Sequence, residues 1–332
     1  MVAARAGNQR EFTNLTEPYR RELQVHCYRI LGSLQDAEDI VQETMLRAWR
    51  RIDTYEGRAS LRAWLYKIAT HACLDALDRR PRRVLPATTH AASDPGQPPA
   101  PPTLEPIWLE PLPDDLVADS DAGPEARYTV RESVTLAFLA ALQLLPPRQR
   151  AVLILRDVLD WSANEVAELL DMTVPAVNSA LHRARATLAR HYRADTPDTL
   201  KPPTSGDRLR ALLDRYVRAW ENADVAGLTA LLKEDARFAM PPTVSWYHGR
   251  DAIGAFAARA VFTPDARGRF RLQATRANDR PAFAVYQRDA GGTYQAFGIQ
   301  VLTFAGDELA DVTTFVDPAL FPRFGLPQTL AG

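Results

Sequence analysis

The chain reads as a multidomain protein, two all-α domains followed by an α+β domain, and three observations carry that reading. Its 332 residues suffice for two or three domains. Apolar residues recur at three- and four-residue spacing through the first two blocks, the period of a helix with one buried face. After Glu234 they alternate with polar residues, the period of a strand. Proline marks the joins: 11 of the 25 prolines fall between Pro81 and Pro124, around "HAASDPGQPPAPPT", a composition that favours extended polyproline conformation over a packed core. A second break, "ADTPDTLKPPTSGD", lies at 194–207. The expected order is a helical domain at 11–80, a proline-rich linker at 81–124, a second helical domain at 125–194, a short linker at 195–206 and the α+β domain at 207–328.

Composition narrows the function. With 46% hydrophobic and 24% charged residues the chain is an ordinary globular protein. Two cysteines, Cys27 and Cys73, are too few for a disulfide framework and lack paired CxxC spacing, which fits a reducing cytoplasm. Helical packing accounts for them more simply than a cage with His26 and His71, so neither a metal nor a cofactor is expected. The longest apolar run, "VTLAFLAALQLL" at 134–145, is too short to span a bilayer and stops at Pro146 and Pro147, so no membrane association is expected. The net charge of −1 conceals two basic segments.

The first segment follows "DAEDIVQETMLRAWRRI" at 36–52, where Ile40, Val41, Met45, Ala48, Trp49 and Ile52 mark the inner face of a helix. Its acids do not converge on one face and have no histidine beside them, which excludes a carboxylate metal cage. From Arg47 to Arg83 ten basic residues stand against four acidic ones, interleaved with Trp49, Tyr55, Trp64 and Tyr66. Cations beside flat rings suit single-stranded DNA, whose bases need a stacking surface and whose phosphates need positive charge. Core packing is the simpler reading for Trp49 and Trp64 themselves.

The second segment, "SANEVAELLDMTVPAVNSALHRARATLARHY", has the spacing of a helix-turn-helix. Ser162 caps a helix that buries Val166, Ala167, Leu169 and Leu170, Asp171 sits at the turn, and Thr173 caps a second helix with Pro175 in its first turn. Val177 and Leu181 face inward. Asn178, Ser179, His182, Arg183 and Arg185 face outward, and from Met172 to Ala194 the only charges are four arginines, as a helix lying between phosphates in a major groove requires.

These stretches together resemble a known family. "DAEDIVQETMLRAW" and "RASLRAWLYKIATHACLDALDRR", then "LPPRQRAVLILRDVLDWSANEVAELLDMTVPAVNSALHRARATL", are similar to regions 2 and 4 of bacterial sigma factors of the extracytoplasmic-function class, a resemblance covering both helical blocks. It implies core RNA polymerase (β′ clamp and β flap) and promoter DNA as partners. Asp39, Gln42 and Glu43 would make polar contacts to the clamp, with Ile40 and Met45 beneath them or in the interface. Arg58, Ser60, Arg62 and Lys67 would hold the opened minus-ten strand, and Arg79, Arg80, Arg82 and Arg83 the upstream duplex phosphates. His71 and Asp78 stand where many relatives carry asparagine and arginine. Asn178, Ser179, His182, Arg183 and Arg185 would lie over the minus-35 element, and Asp171 replaces a glycine common at that turn.

The third block, with "MPP" at 240–242 and "WYHGRDAI" at 246–253, resembles the SnoaL-like branch of the NTF2-like fold, helices against a curved antiparallel sheet around a pocket. Helices are expected near 207–222, 225–233 and 251–261. Tyr216, Trp220, Met240, Trp246, Tyr247, His248 and Tyr286 are the candidate lining of a small-molecule pocket. Asp235, His248 and Asp311 are candidate acid or base groups, yet the sequence offers no convergent catalytic set, and a fold does not by itself carry activity. "WLEPLPDDL" at 108–116 resembles a linker motif of related factors, and Trp108, Leu109, Pro111 and Pro113 are expected to dock on the third block and make it regulatory. A polymerase-independent helix-turn-helix regulator and a fused small-molecule isomerase or cyclase are the alternatives.

Overall fold

The computed structural model describes residues 2–57, 59–79, 81–103, 107–117, 131–192 and 206–331. It divides into two compact units, Met1–Arg83 with Asp114–Arg193, and Val84–Pro113 with Ala194–Gly332.

The first unit is all helix. Asn8 accepts a hydrogen bond from the Glu11 amide and starts α1 (Gln9–Leu31), which Gly32 ends in the left-handed region at φ 73°. Ser33 then caps α2 (Leu34–Arg50) through the Asp36 amide, so two residues separate one helix from the next. Ser60 caps α3 (Leu61–Leu77) in the same way. Leu23, Ile30, Val41, Ala48, Leu65 and Cys73 from the three helices are all buried. The second half of the unit begins with α4 (Leu136–Gln143) and α5 (Pro147–Leu153), whose Pro147 occupies the first turn where its missing N–H costs nothing. The chain widens into a π turn at Ile154–Val158 before α6 (Ala163–Leu169) and α7 (Val174–Tyr192).

In the second unit α8 (Gly206–Glu221) buries Leu212, Tyr216, Ala219 and Trp220, a stripe at helical spacing. Asp224 caps the short α9 (Val225–Thr229), and α10 (Arg250–Phe256) follows β2 (Trp246–His248). The other strands are β1 (Leu232–Ala239), β3 (Phe270–Ala277), β4 (Arg280–Arg288), β5 (Tyr294–Ala305), β6 (Glu308–Phe315) and β7 (Thr329–Leu330). Their order is β2-β1-β6-β5-β4-β3, with β7 on β5. The helices cover one face, where Phe238, Phe270, Phe283, Val285 and Leu302 join the α8 stripe in a single core. This is the expected α+β cone, with two corrections. The helix expected at 225–233 ends at Thr229, because Leu232, Ala236 and Phe238 are drawn into the core as alternate residues of β1. The sheet is mixed, since β1 runs parallel to β6. Only strands joined by tight hairpins, such as β5 and β6 around Gly306 (φ 60°), are bound to run antiparallel.

The segment 84–113 belongs to this second unit. Its composition predicts an extended chain without a core of its own, yet it is seated by hydrogen bonds. Val84 bridges to Trp108, so both ends of that stretch meet. The Ser93 amide donates to the Trp246 carbonyl (2.7 Å) and the Thr103 amide to Pro242 (2.9 Å). Trp108, Leu109 and Leu112 are buried. Extended backbone leaves its amides free to bond to a neighbour, and that is where these go.

Candidate polymerase and nucleic-acid interfaces

On α2 the core takes Ala37, Val41, Met45 and Ala48, which leaves Asp39, Gln42 and Leu46 along the outer face at three- and four-residue spacing. Met45 therefore supports the helix from beneath, and Ile40 is half-buried. Glu43 is tied to Arg47 (2.7 Å) at the stripe's edge. Leu46 is 52% exposed, the one large apolar side chain standing in solvent among the described residues. The inner-face pattern drew attention to Met45 and missed Leu46; the 39, 42, 46 spacing was the available signal.

On α3, Ser60 is exposed but its hydroxyl accepts from the Ala63 amide, a cap as much as a surface group. Arg62 donates to both oxygens of Glu22 (3.0 and 2.9 Å) and lies over the Tyr66 ring at 4.9 Å. The Lys67 ammonium reaches the Asp171 carboxylate (2.8 Å) and the Glu168 carbonyl (2.9 Å). His71 donates from Nδ1 to the Lys67 carbonyl (2.9 Å) and turns Nε2 toward Asp171 (3.4 Å). A hydrogen bond from Lys67 holds the Asp171 carboxyl below the usual carboxylate range. Arg79 and Arg82 are exposed, whereas Arg83 is paired with Asp36 at 2.7 Å, the two side chains 14% and 13% exposed. Arg58 and Arg80 lie outside the described residues. Trp64 is half-buried against Tyr55, centroids 5.2 Å apart, and Trp49 packs edge-on to Phe12.

The helix-turn-helix forms as its local signals require. Ser162 and Glu165 exchange hydrogen bonds in a capping box at the start of α6 (2.8 and 3.2 Å). Asp171 turns the chain at φ 54°, and Thr173 accepts from the Ala176 amide to start α7. Val177, Ala180, Leu181 and Ala184 are buried; Asn178, Ser179, His182, Arg183 and Arg185 are exposed on one face. Arg185 is held in a fork by Asp157 (2.9 and 2.7 Å), and Arg183 donates to Ser179 (3.1 Å).

The candidate pocket residues of the second unit do not converge. Tyr216 lies in the core and donates to Gln300 (3.0 Å); Trp220 and Tyr247 are buried there too, with Tyr247 stacked on Phe256 at 4.1 Å and Met240 packed at the margin. Trp246 instead donates to the His90 carbonyl (2.9 Å), and His248 is exposed. Tyr286 donates to the Pro327 carbonyl (3.0 Å) beside Phe321. Asp235 is exposed and paired with Lys233 (2.8 Å), which lowers its pKa, while Asp311 pairs with Arg237 across β1 and β6 (3.1 Å). Gln300 and Thr314 are cross-strand partners beside Tyr216, and the Gln300 Nε2 and Thr314 Oγ1 atoms are buried without a hydrogen-bond partner among the described residues.

A helix-turn-helix with a basic outer face, beside a second helical domain, is the architecture of a DNA-binding protein. The model of Sigma-70 region 2 matches residues 15–83, that of Sigma-70 region 4 matches 135–188, and that of the SnoaL-like domain matches 213–312. The chain is 46% identical over 328 residues to the ECF RNA polymerase sigma factor SigG of Mycobacterium tuberculosis (strain ATCC 25618 / H37Rv), covering 96% of this chain and 85% of the relative. It is 29% identical over 247 residues to SigJ of the same strain, covering 72% and 70%. The crystal structure of the Mycobacterium tuberculosis extracytoplasmic function sigma factor SigJ superposes with a TM-score of 0.61 at 22% identity, covering 95% of this chain and 100% of that one, a likeness of fold. The chain belongs to the ECF RNA polymerase sigma factors, and it directs promoter-specific transcription initiation with core RNA polymerase.

Proposed function

We propose that α2 docks on the β′ clamp of core polymerase through Asp39, Gln42, Glu43 and Leu46, and that region 4 sits by the β flap with α7 over the minus-35 element. Ser60, Arg62 and Lys67 on the α3 face take the opened minus-ten strand, and Arg79 and Arg82 the duplex upstream. The observation that carries the reading is the α2 stripe, an exposed leucine framed by polar groups on a helix whose other face is fully packed. Such an apolar anchor with a polar rim is how a small interface gains most of its affinity.

In this reading the second unit regulates by binding, not by turnover, and Trp108, Leu109, Pro111 and Pro113 couple it to the DNA-binding half. Support comes from the seating of 84–113 on the cone and from the engagement of Asp235 with Lys233 and of Asp311 with Arg237 in ion pairs. Tyr216, Gln300 and Thr314 are the polar groups a small ligand inside the cone would meet. A ligand shifts the protein only by binding one arrangement better than another.

The test is in vitro transcription with core polymerase on a genomic DNA pool, using the full chain and Leu46→Glu. Specific transcripts from the full chain are expected, with at least about a tenfold loss for Leu46→Glu at unchanged thermal stability, since an exposed substitution shifts stability by about 0.5 kcal/mol or less. Full output from Leu46→Glu would remove the docking stripe, and no transcript from the folded wild type would overturn the reading.

A further inference from the structure

Region 4 lies against the face of region 2 on which the promoter strand is placed, and it meets that face with acids. A cleft of about 500 Å³ separates Tyr55, Trp64 and Lys67 of region 2 from Trp161, Glu165 and Glu168 of region 4. The stacking rings and the cation of the strand face thus look onto carboxylates and a third ring. At one edge the ammonium of Lys67 is taken up by Asp171 Oδ1 and the Glu168 carbonyl, 104 and 101 residues away in sequence. These are the groups a phosphate oxygen would replace: an anionic oxygen at 2.8 Å from Nζ, with His71 Nε2 on the second oxygen at 3.4 Å.

The residue at the turn is itself informative. Asp171 has φ 54°, a region that glycine enters without penalty and that costs a side-chain-bearing residue conformational energy, although aspartate less than most. A residue that only had to turn the chain would be better as glycine. What aspartate adds there is the carboxylate, and the carboxylate reaches Lys67 and His71. The other end of the same docking is fixed separately: Arg150 is buried and donates to the Ile30 carbonyl of α1 as well as to Gln143 and Leu145 of region 4. Buried anchorage at Arg150 and an exposed ion pair at Lys67 are what a hinged cover needs, firm at one end and exchangeable at the other.

We infer that the helix-turn-helix turn of region 4 competes with single-stranded promoter DNA for Lys67, Asp171 standing in for a backbone phosphate. The inference rests on the strand-contact reading of Lys67 given above. Strand entry then requires the Lys67–Asp171 pair to open, so Asp171 is a positioning residue that sets how readily the α3 face accepts DNA before polymerase engages it.

The experiment measures, for the full chain, binding of a short labelled non-template-strand oligonucleotide by fluorescence anisotropy at low salt, together with hydrogen exchange of the amides around 161–171. Asp171→Gly and Asp171→Asn both suit the turn and both remove the negative charge. Each is expected to bind the strand about two- to five-fold more tightly, the span an exposed ion pair supports, and to exchange faster around the turn. In a Lys67→Gln background the gain is expected to vanish, which the double-mutant cycle reads directly. A gain that persists without Lys67, or exchange and affinity that do not move, would overturn the inference. Faster exchange with no change in strand binding, and no loss of strand binding in Lys67→Gln with Asp171→Gly, would instead remove Lys67 from the strand-contact set and the inference with it.

Discussion

His26 is fully buried between α1 and α3, its ring 4.8 Å from that of Tyr66. The Thr70 hydroxyl donates to the Tyr66 carbonyl (2.7 Å), so it has only a lone pair to offer His26, and the 2.9 Å contact fixes the imidazole as the Nε2–H tautomer. Nδ1 is left buried without a partner among the described residues. Burial, with the nearby charges of Arg29 and Arg62, lowers the pKa from 6.5 to about 3. The sign of the consequence follows. Below pH 6.5 the unfolded chain takes up a proton that the folded chain refuses, so stability is complete above that value and is lost as pH falls toward 3. The loss is about 2 kcal/mol between about pH 7 and pH 5. Denaturant titrations of the wild type and His26→Gln across that window are expected to show the wild-type slope reduced in the variant. Equal slopes would mean that His26 is not the group responsible.

The second helix of the helix-turn-helix, α7, was readable from sequence because everything that shapes it is local. Ser162, Glu165, Asp171, Thr173 and the alternation of Val177, Ala180, Leu181 and Ala184 with exposed polar residues lie within a short span, and each finds the role its chemistry suggests. On the proposed reading, that face divides by chemistry into groups that would distinguish bases and groups that would hold phosphates. Asn178→Ala is expected to cost about 1–3 kcal/mol on a minus-35 duplex and to relax preference at one base pair, leaving non-specific duplex binding and its salt dependence in place. Arg183→Ala is expected to weaken specific and non-specific duplexes alike and to flatten the salt dependence. Identical losses on both duplexes for Asn178→Ala would take it out of base readout. What the sequence hid at this scale is long-range pairing. Arg83 looked free for phosphate until Asp36, 47 residues away, was found beside it, and Lys67 until Asp171 was. Charge counts along a chain cannot register which cations are already spoken for in three dimensions.

At the scale of the molecule, the proline-rich stretch changes character. Its composition predicts no core of its own, and the "WLEPLPDDL" resemblance points Trp108, Leu109, Pro111 and Pro113 at the third block, whereas the backbone hydrogen bonds of Ser93 and Thr103 to the cone have no signature in one dimension. The clasp is at Asn278, a fully buried residue at φ 55° in the turn between β3 and β4. Its side-chain oxygen accepts from the Leu112 amide (3.0 Å), its own amide donates to the Leu112 carbonyl (2.9 Å), and Pro113 bridges to Ala277 beside it. Asn278→Ala would leave the Leu112 amide buried and unbonded, at about 1–3 kcal/mol, and would place alanine in a left-handed turn. Asn278→Gly removes the turn penalty but still lacks the acceptor for the Leu112 amide, whereas Asn278→Asp keeps one. Limited proteolysis of the full chain is therefore expected to cut within 84–113 faster in Asn278→Ala and Asn278→Gly than in the wild type or Asn278→Asp. If all four are cut at one rate, Asn278 does not hold the segment. If Asn278→Ala alone is cut faster, the cause is the backbone turn and not the bond to Leu112. The two outcomes separate a hydrogen-bonded clasp from a merely well-packed neighbour, which decides whether a ligand that disturbs the β3–β4 turn can release the chain leading to region 4.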